Sequence, residues 1–529
     1  LPDFQPVSLR SLAKATALIG IAQFAINGLQ VIKLILSAAL FGVTTGRLDV
    51  FFAALAIPSA LQGVFVGSLQ AAFIPRYVSL KAESEERANR LLGGTLFVTV
   101  ALYLLVTLAL WLGAEPLLSF ALARPIDHLT PTDLLTLRLL VIAVVISGLC
   151  DILGSLANAN HRFALPGFAP LLSIIVSILY LIFFYGQGPL ALVYGLLLGN
   201  ALQLVVMVFG APAYGGFTPR FSSQLLHPDM TRLGRTMIPL ALGAAFSNAV
   251  LIIDNMLAAR LGPGSVSVYG QVFRLNEVVV KIVIAGLGTA LLPYLSSALA
   301  AGNATQFRQL FNSSCRVAIL LTGPLPLFLF LFGPALLGLV FQRGEFTRQD
   351  SLVVAHGWMI FSMALIPTAM TYFAGRALNA LGMTRVILAC SFLGLLVHTG
   401  AKLLLIPYLG LSGLLLGNLF GYLFYAWFYS WHLSKRLSGE EQLFGWEVWR
   451  VFAAPLAMMP MMLLLWWIFS PFITLSPGSI SHQIWLTKAT AVACSLAVLT
   501  VTYFFLSSAL GIREGRLVQD AILSRLRRT

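Results

Sequence analysis

Charge is scarce in this chain of 529 residues: Asp, Glu, Lys and Arg together make up 10%. A soluble domain carries roughly 25%, so a surface built for water is excluded. Acidic residues are scarcer still, 19 against 33 basic, which leaves a formal net charge of +14. Cysteine is limited to Cys150, Cys315, Cys390 and Cys494. None has metal or redox spacing, so a disulfide scaffold or zinc module is excluded and all four read as buried thiols. Ordered Ser/His/Asp sets, metal-ligand clusters and phosphate-cradling loops are missing as well. Gly42, Gly46, Gly262 and Gly264 around Pro263 read as loop punctuation. Neither an enzyme, a cofactor nor a bound metal is therefore expected.

What is present is apolar. Hydrophobic residues reach 59% and the mean hydropathy is +0.90. Runs of about 20 apolar residues, enough to span a bilayer as helix, recur about 14 times. They lie near residues 16–42, 50–74, 92–116, 135–159, 164–186, 188–212, 236–261, 266–297, 316–341, 351–379, 385–407, 411–433, 448–471 and 484–510. The runs are continuous rather than alternating, which specifies helices and not a barrel. Residues 1–15 are short and mildly basic, and the first apolar run is too long for a removable signal core.

The chain repeats itself. Gly195-Leu-Leu-Leu-Gly-Asn200 recurs letter for letter as Gly413-Leu-Leu-Leu-Gly-Asn418, and the same interval links Ala72-Phe-Ile-Pro75 to Ala290-Leu-Leu-Pro293. Asn158, Ala159 and Arg162 stand looser against Asn379, Ala380 and Arg385. Tandem copies of a helical unit are a common construction of secondary transporters. The expected architecture is all-α and integral to the membrane, with two pseudo-symmetric six-helix lobes and an extra C-terminal helix pair. Residues 1–212 form the first lobe, 213–235 a cytoplasmic linker with an amphipathic helix, and 236–435 the second lobe. The extra pair takes 436–510, and 511–529 is a basic tail. Six spans per copy is an even number, so the copies run parallel about an axis along the membrane normal.

Lys and Arg set the orientation. With the N-terminus in the cytoplasm, roughly 22 basic residues fall on the cytoplasmic side and about 7 outside. Both termini are expected inside. The basic charge is scattered among spans, so no nucleic-acid partner is expected; a monomer facing anionic lipid is. Prolines 58, 170, 239, 293, 324, 326 and 367 permit kinks in the spans.

Ionisable residues inside spans carry the functional argument, because each costs about 2.5–3.5 kcal/mol at a bilayer centre. Counted at roughly 1.5 Å per residue, Lys33, Asp254, Arg274 and Lys402 share one layer in the outer half of the membrane. Arg274, Glu277 and Lys281 fall on one helix face. Glu277 is expected to pair with Lys281, leaving Arg274 as an uncompensated cation for a phosphate. Lys33 is expected to meet the same anion. Asp254 and Lys402 are expected to form an ion pair, with Asn248, Asn255 and His398 as polar neighbours.

The run Ala-Asn-Ala-Asn-His-Arg-Phe-Ala-Leu-Pro from Ala157 to Pro166, followed by Phe168-Ala-Pro170, resembles the signature of the MurJ/MviN lipid II flippases of the MOP exporter superfamily. Similar matches cover Asp229 to Pro239, Gly288-Thr-Ala-Leu-Leu-Pro293 and Phe341-Gln-Arg-Gly-Glu-Phe-Thr347. The resemblance implies a fourteen-helix fold of two lobes around a cationic cavity in a bacterial inner membrane. It also implies alternating access that carries a polyprenyl-diphosphate-linked saccharide to the outer leaflet. Arg274 and Glu277 match family positions, and Lys33 stands for a first-helix arginine. Asn27 and Gln62 occupy positions where the family carries basic residues, and Phe273 one where it carries an acid. Asp254 keeps a span-seven acid that some members use with a span-eleven Asn/Asp pair to hold sodium; His398 and Lys402 replace that pair. Other lipid-linked oligosaccharides, export of organic cations, and a non-transporting scaffold among envelope-synthesis proteins are the competing readings. An organic-cation cavity should be lined by acids and aromatics. The span charges oppose that, with four basic groups (Lys33, Arg274, Lys281, Lys402) against Asp151, Asp254 and Glu277.

Overall fold

The computed structural model of the chain describes residues 9–160, 164–210, 228–285, 302–436, 455–473 and 482–510, together with 162, 295 and 298. Among the described residues every regular element is helical. The first group of helices is α1 (Leu9–Phe41), α2 (Asp49–Glu83), α3 (Glu85–Leu112), the short α4 (Ala114–Leu122), α5 (Pro131–Ala159), α6 (Ala164–Phe184), α7 (Leu190–Phe209) and α8 (Pro228–Ala259). Then come α9 (Ser265–Val279), which runs on as a π-helical turn through Ala285, α10 (Ala304–Thr322), α11 (Pro324–Phe341), α12 (Arg348–Ser362) and α13 (Leu365–Ala380). The last are α14 (Thr384–Leu409), α15 (Leu411–Arg436), α16 (Met459–Ile473) and α17 (His482–Ala509).

Local chemistry sets many of these ends. Thr130 and Asp133 close a capping box at the start of α5, with Pro131 in the first turn; Thr347 and Asp350 do the same for α12. Asn303 caps α10 and Ser84 caps α3.

The helices gather into two compact units, Leu1–Ser267 and Val268–Thr529. In the first, α2 packs along α8 and α5, α6 along α7, and α1 along α6. Its core joins Phe73, Tyr77, Leu80, Leu91, Tyr103, Leu156 and Leu233. In the second, α14 packs along α15, α13 on α15, α10 on α13, and α16 on α17. Phe307, Phe311, Phe373, Cys390 and Tyr429 share its core.

Both copies of the repeated hexapeptide do the same packing work inside their own unit. Gly195 and Gly199 lay α7 on the α6 backbone at Ser177 and Ser173, where a Cβ on Gly195 would lie 3.0 Å from the Ser177 carbonyl oxygen. Gly413 and Gly417 lay α15 on the α14 backbone at Leu405 and Lys402. The small residues recur because two backbones must approach closely at both places.

Over the described residues, the expected apolar runs lie on helices, those at 92–116, 316–341 and 351–379 each on two in succession. Eleven are long and apolar enough to cross a membrane, or twelve with the pair α12 and α13, bent by 42°. The runs on α9 and α16 fall short of that test over the described residues. Large apolar side chains on the spans face outward, Leu404 at 73% and Phe209 at 80% exposed, as lipid contact requires. Cys150, Cys315 and Cys390 are buried, but Cys494 is exposed, contrary to expectation. It shares an outward α17 face with Val498 and Val501, where a thiol is apolar enough to meet acyl chains. Of the linker expected at 213–235, residues 213–227 lie outside the described residues and 228–235 form the start of α8; the repeat motif at 290–293 and the tail at 511–529 lie outside them as well.

Candidate functional site

In the first unit, α1 holds Asn27 buried and Lys33 half-buried. On α2, Gln62 points to α5: its amide N–H donates to Asp151 Oδ2 at 2.8 Å and to Ser147 Oγ at 3.0 Å. The amide is thus engaged by a carboxylate. One residue on, Gly63 lies against the Asn248 side chain of α8, so closely that a Cβ there would strike it. Asp254 and Asn255 are buried on α8. The Asn255 amide donates to the Leu251 carbonyl at 2.8 Å, while its buried Oδ1 has no hydrogen-bond partner.

The first residue of α2 reaches a second helix. Asp49, buried, accepts hydrogen bonds from Gly264 N at 2.7 Å, from Ser267 N at 2.8 Å and from the Ser267 hydroxyl. It caps α9 in place of a local side chain, with its negative charge on the positive end of the helix dipole. Gly264 makes this possible. Its φ is +86°, and a Cβ would collide with the Thr44 backbone. The glycines read as loop punctuation therefore hold two loops in contact.

At the other end of α2, Asp229 at the start of α8 is buried and takes hydrogen bonds from Arg76 and from Arg87, the latter at 3.1 Å. Three helices meet on that carboxylate. Nearby, Lys81 donates to Asn160 Oδ1, and Asn160 Nδ2 bonds the Leu156 carbonyl at 3.0 Å at the end of α5. Part of the asparagine-rich signature is thus helix termination.

In the second unit, Arg274 and Glu277 are half-buried on α9, and Lys281 is exposed. The Lys281 ammonium meets Glu277 Oε1 at 2.9 Å, as expected for i, i+4. Glu277 also acts electrostatically on Arg274. Arg274 is therefore not the uncompensated cation expected: one acid sits at i+3 from it and i+4 from Lys281. Two buried amides on the same helix passed unnoticed in the sequence. Both polar atoms of Gln271, and Oδ1 of Asn276, are buried without a hydrogen-bond partner.

On α14, His398 and Lys402 are buried against α15. The His398 ring lies beside Tyr422 (5.2 Å, edge-on) and Tyr425 (5.1 Å), with the Asn418 side chain near it and its buried Nδ1 without a hydrogen-bond partner. Gly417 and Gly421 open the space opposite Lys402 and His398. The second hexapeptide thus brings Asn418 to the histidine. In the first unit Asn200, at the matching place, accepts from Ser173 Oγ at 2.7 Å.

A family profile described as "Lipid II flippase MurJ" matches residues 37–487. The chain belongs to the lipid II flippase MurJ family. Lipid II flippase MurJ of Burkholderia cenocepacia is 27% identical over 330 residues, which is 60% of this chain and 64% of that protein, somewhat under two thirds of its length. A probable lipid II flippase MurJ of Bdellovibrio bacteriovorus is 26% identical over 381 residues, 70% of this chain and 72% of that one. Among solved structures, a lipid II flippase MurJ in an inward closed conformation gives a TM-score of 0.73 at 17% identity, covering 92% of this chain and 99% of that one. A multidrug resistance MATE transporter of the MOP superfamily gives 0.64 at 15% identity, over 79% and 98%. These likenesses establish a shared helical transporter fold. The chain is accordingly a multi-span membrane protein of a bacterial family.

Asp49, and the partners of Asp229, are what the sequence did not show. Both acids stand at a helix start, where an acid reads as an ordinary first-turn residue. The available signal was the tight Gly-Pro-Gly turn at 262–264, which marks a backbone that something must approach closely.

Proposed function

We propose that this protein moves a polyprenyl-diphosphate-linked saccharide, the peptidoglycan precursor lipid II before others, from the cytoplasmic to the outer leaflet of the bacterial inner membrane by alternating access. The observation that supports this most is Arg274 with Glu277 on one face of α9, kept at family positions inside a chain that matches the family from residue 37 to 487. A guanidinium suits a diphosphate because its planar fork matches phosphate oxygens two at a time. Lys33 supplies a second positive charge, and Lys281 tempers Glu277. Asn27 is a neutral hydrogen-bonding neighbour on α1. Asp254 and Asn255 on α8, and His398 and Lys402 on α14, are the coupling candidates of their own units in this reading, with the Lys402 ammonium as a fixed cation in place of a mobile one. The substrate crosses unaltered, both termini stay in the cytoplasm, and the transporter works as a monomer beside envelope-synthesis proteins.

The test is replacement in a depletion strain, scored by growth and by exposure of the lipid-linked saccharide on the outer leaflet. Arg274→Ala alone, and more so with Lys33→Ala, is expected to abolish both while the protein remains in the membrane. Arg274→Lys should keep a fraction, since it preserves charge but not the fork. Normal growth and exposure in the double variant would exclude a cation-held diphosphate.

A further inference from the structure

Asp151 has no part in the transport route proposed above, although it is an acid two thirds of the way along a membrane-spanning helix. α5 spans Pro131–Asn158, and Asp151 lies eight residues from its Ala159 end, about 12 Å at 1.5 Å per residue. Among the described residues no lysine or arginine stands within ion-pair distance of it. Its carboxylate is bonded by the neutral Gln62 amide at 2.8 Å. Ser147 and Ser155 lie one turn to either side on the same face, Ser147 sharing the Gln62 amide at 3.0 Å and Ser155 donating to the Asp151 carbonyl.

The cations on the helices packed on α5 are engaged elsewhere: on α2, Arg76 with Asp229 and Lys81 with Asn160; on α3, Arg87 with Asp229 and Glu83, and Arg90 with Glu86. α6 and α7 contain no charged residue, and the one charge of α4 is Glu115. α3 presents the phenol of Tyr103, which abuts Gly148, and α2 presents Gln62. Cys150 and Tyr103 are its titratable neighbours. Gln62, Ser147 and Asp151 are all half-buried rather than sealed, so the cluster opens onto accessible space.

An acid inside a membrane is costly to keep, and one without a cation has no structural partner to explain it. Nor does it suit a diphosphate, which it repels. What an isolated carboxylate between hydroxyls and an amide does suit is a proton. We infer that Asp151 is a proton-exchange site of the transport cycle, taking up a proton from water in one state of the protein and returning it in another. Carboxylate and hydronium become carboxylic acid and water, and only O–H bonds form or break. Gln62 is the sensor. Its amide donates to the charged form, and the neutral acid loosens this link between α2 and α5. Because α2 also carries Asp49 at one end and Arg76 at the other, a change at its middle reaches both capped junctions. The inference deepens the transport reading and rests on it for one of two readouts.

The experiment compares wild type, Asp151→Asn and Asp151→Glu, purified and reconstituted in lipid. Asn keeps an oxygen acceptor for Gln62 and nearly the same volume, and monodispersity on size exclusion checks the fold. The first readout is pH-difference infrared spectroscopy. A carboxyl C=O band present in wild type is expected to vanish in Asp151→Asn and to persist, shifted, in Asp151→Glu. The second is movement of the lipid-linked saccharide under an imposed pH gradient. Wild type and Asp151→Glu should respond, and Asp151→Asn should lose the response. Identical spectra for wild type and Asp151→Asn, or an undiminished pH response in Asp151→Asn, overturn the inference. So does a wild-type response to sodium at fixed pH that Asp151→Asn abolishes. Wild-type protein that moves no lipid-linked saccharide overturns the transport reading alone, because the infrared band needs no substrate.

Discussion

Asp49 shows how much one side chain can hold in this protein. Three donors converge on its two oxygens, two of them backbone N–H groups that no residue of α9 satisfies. Removing the carboxylate leaves those donors buried. Asp49→Ala is therefore expected to cost about 1–3 kcal/mol of stability. Asp49→Asn should cost less, since its amide oxygen still accepts, and Ser267→Ala least, since only the hydroxyl bond is lost. Thermal unfolding in detergent gives the order; three equal midpoints would show that the cap holds nothing. Gln62 teaches a different lesson at this scale. Its position in the chain suggested a cavity residue, and the sequence did not show that its amide meets an acid on α5.

At the level of helices, the recurring glycines explain why the repeat is visible at all. Gly199 sits on the Ser173 backbone and Gly417 on that of Lys402, so any side chain at either place forces two helices apart. Gly199→Ala and Gly417→Ala are each expected to cost about 1–3 kcal/mol, the usual penalty of overpacking. Gly186→Ala, which meets open space, serves as the control. Denaturation midpoints and membrane yields check this, and a Gly417→Ala protein as stable as the control would contradict the packing argument. The Asp229 junction with Arg76 and Arg87 belongs to the same scale, because it ties the start of α8 to the ends of two other helices.

At the scale of the whole molecule, each compact unit buries an ionisable group in its own helices: Asp254 in the first and Lys402 in the second. Asp254→Lys and Lys402→Asp should each be strongly destabilising, on the order of 3–5 kcal/mol, because each sets a reversed charge in a site folded around the native one. Yield and thermal midpoint in detergent check both, and midpoints equal to wild type would show that neither site depends on the sign of its charge.

Apolar run length, the repeat and the signature residues were legible in the chain itself, because bilayer thickness and close helix packing each demand a pattern along a single helix. From them followed the all-helical membrane class, the family, and the Glu277–Lys281 pair at i, i+4. Tertiary structure alone decided which polar groups meet across helices: Asp49 with the start of α9, Gln62 with Asp151, Asp229 with two arginines, His398 with Asn418. Those partners stand tens to hundreds of residues apart, and no local periodicity records which face of one helix turns toward another. Cys494 marks the same boundary, since the apolar run around it reads alike whether a residue faces a neighbouring helix or lipid.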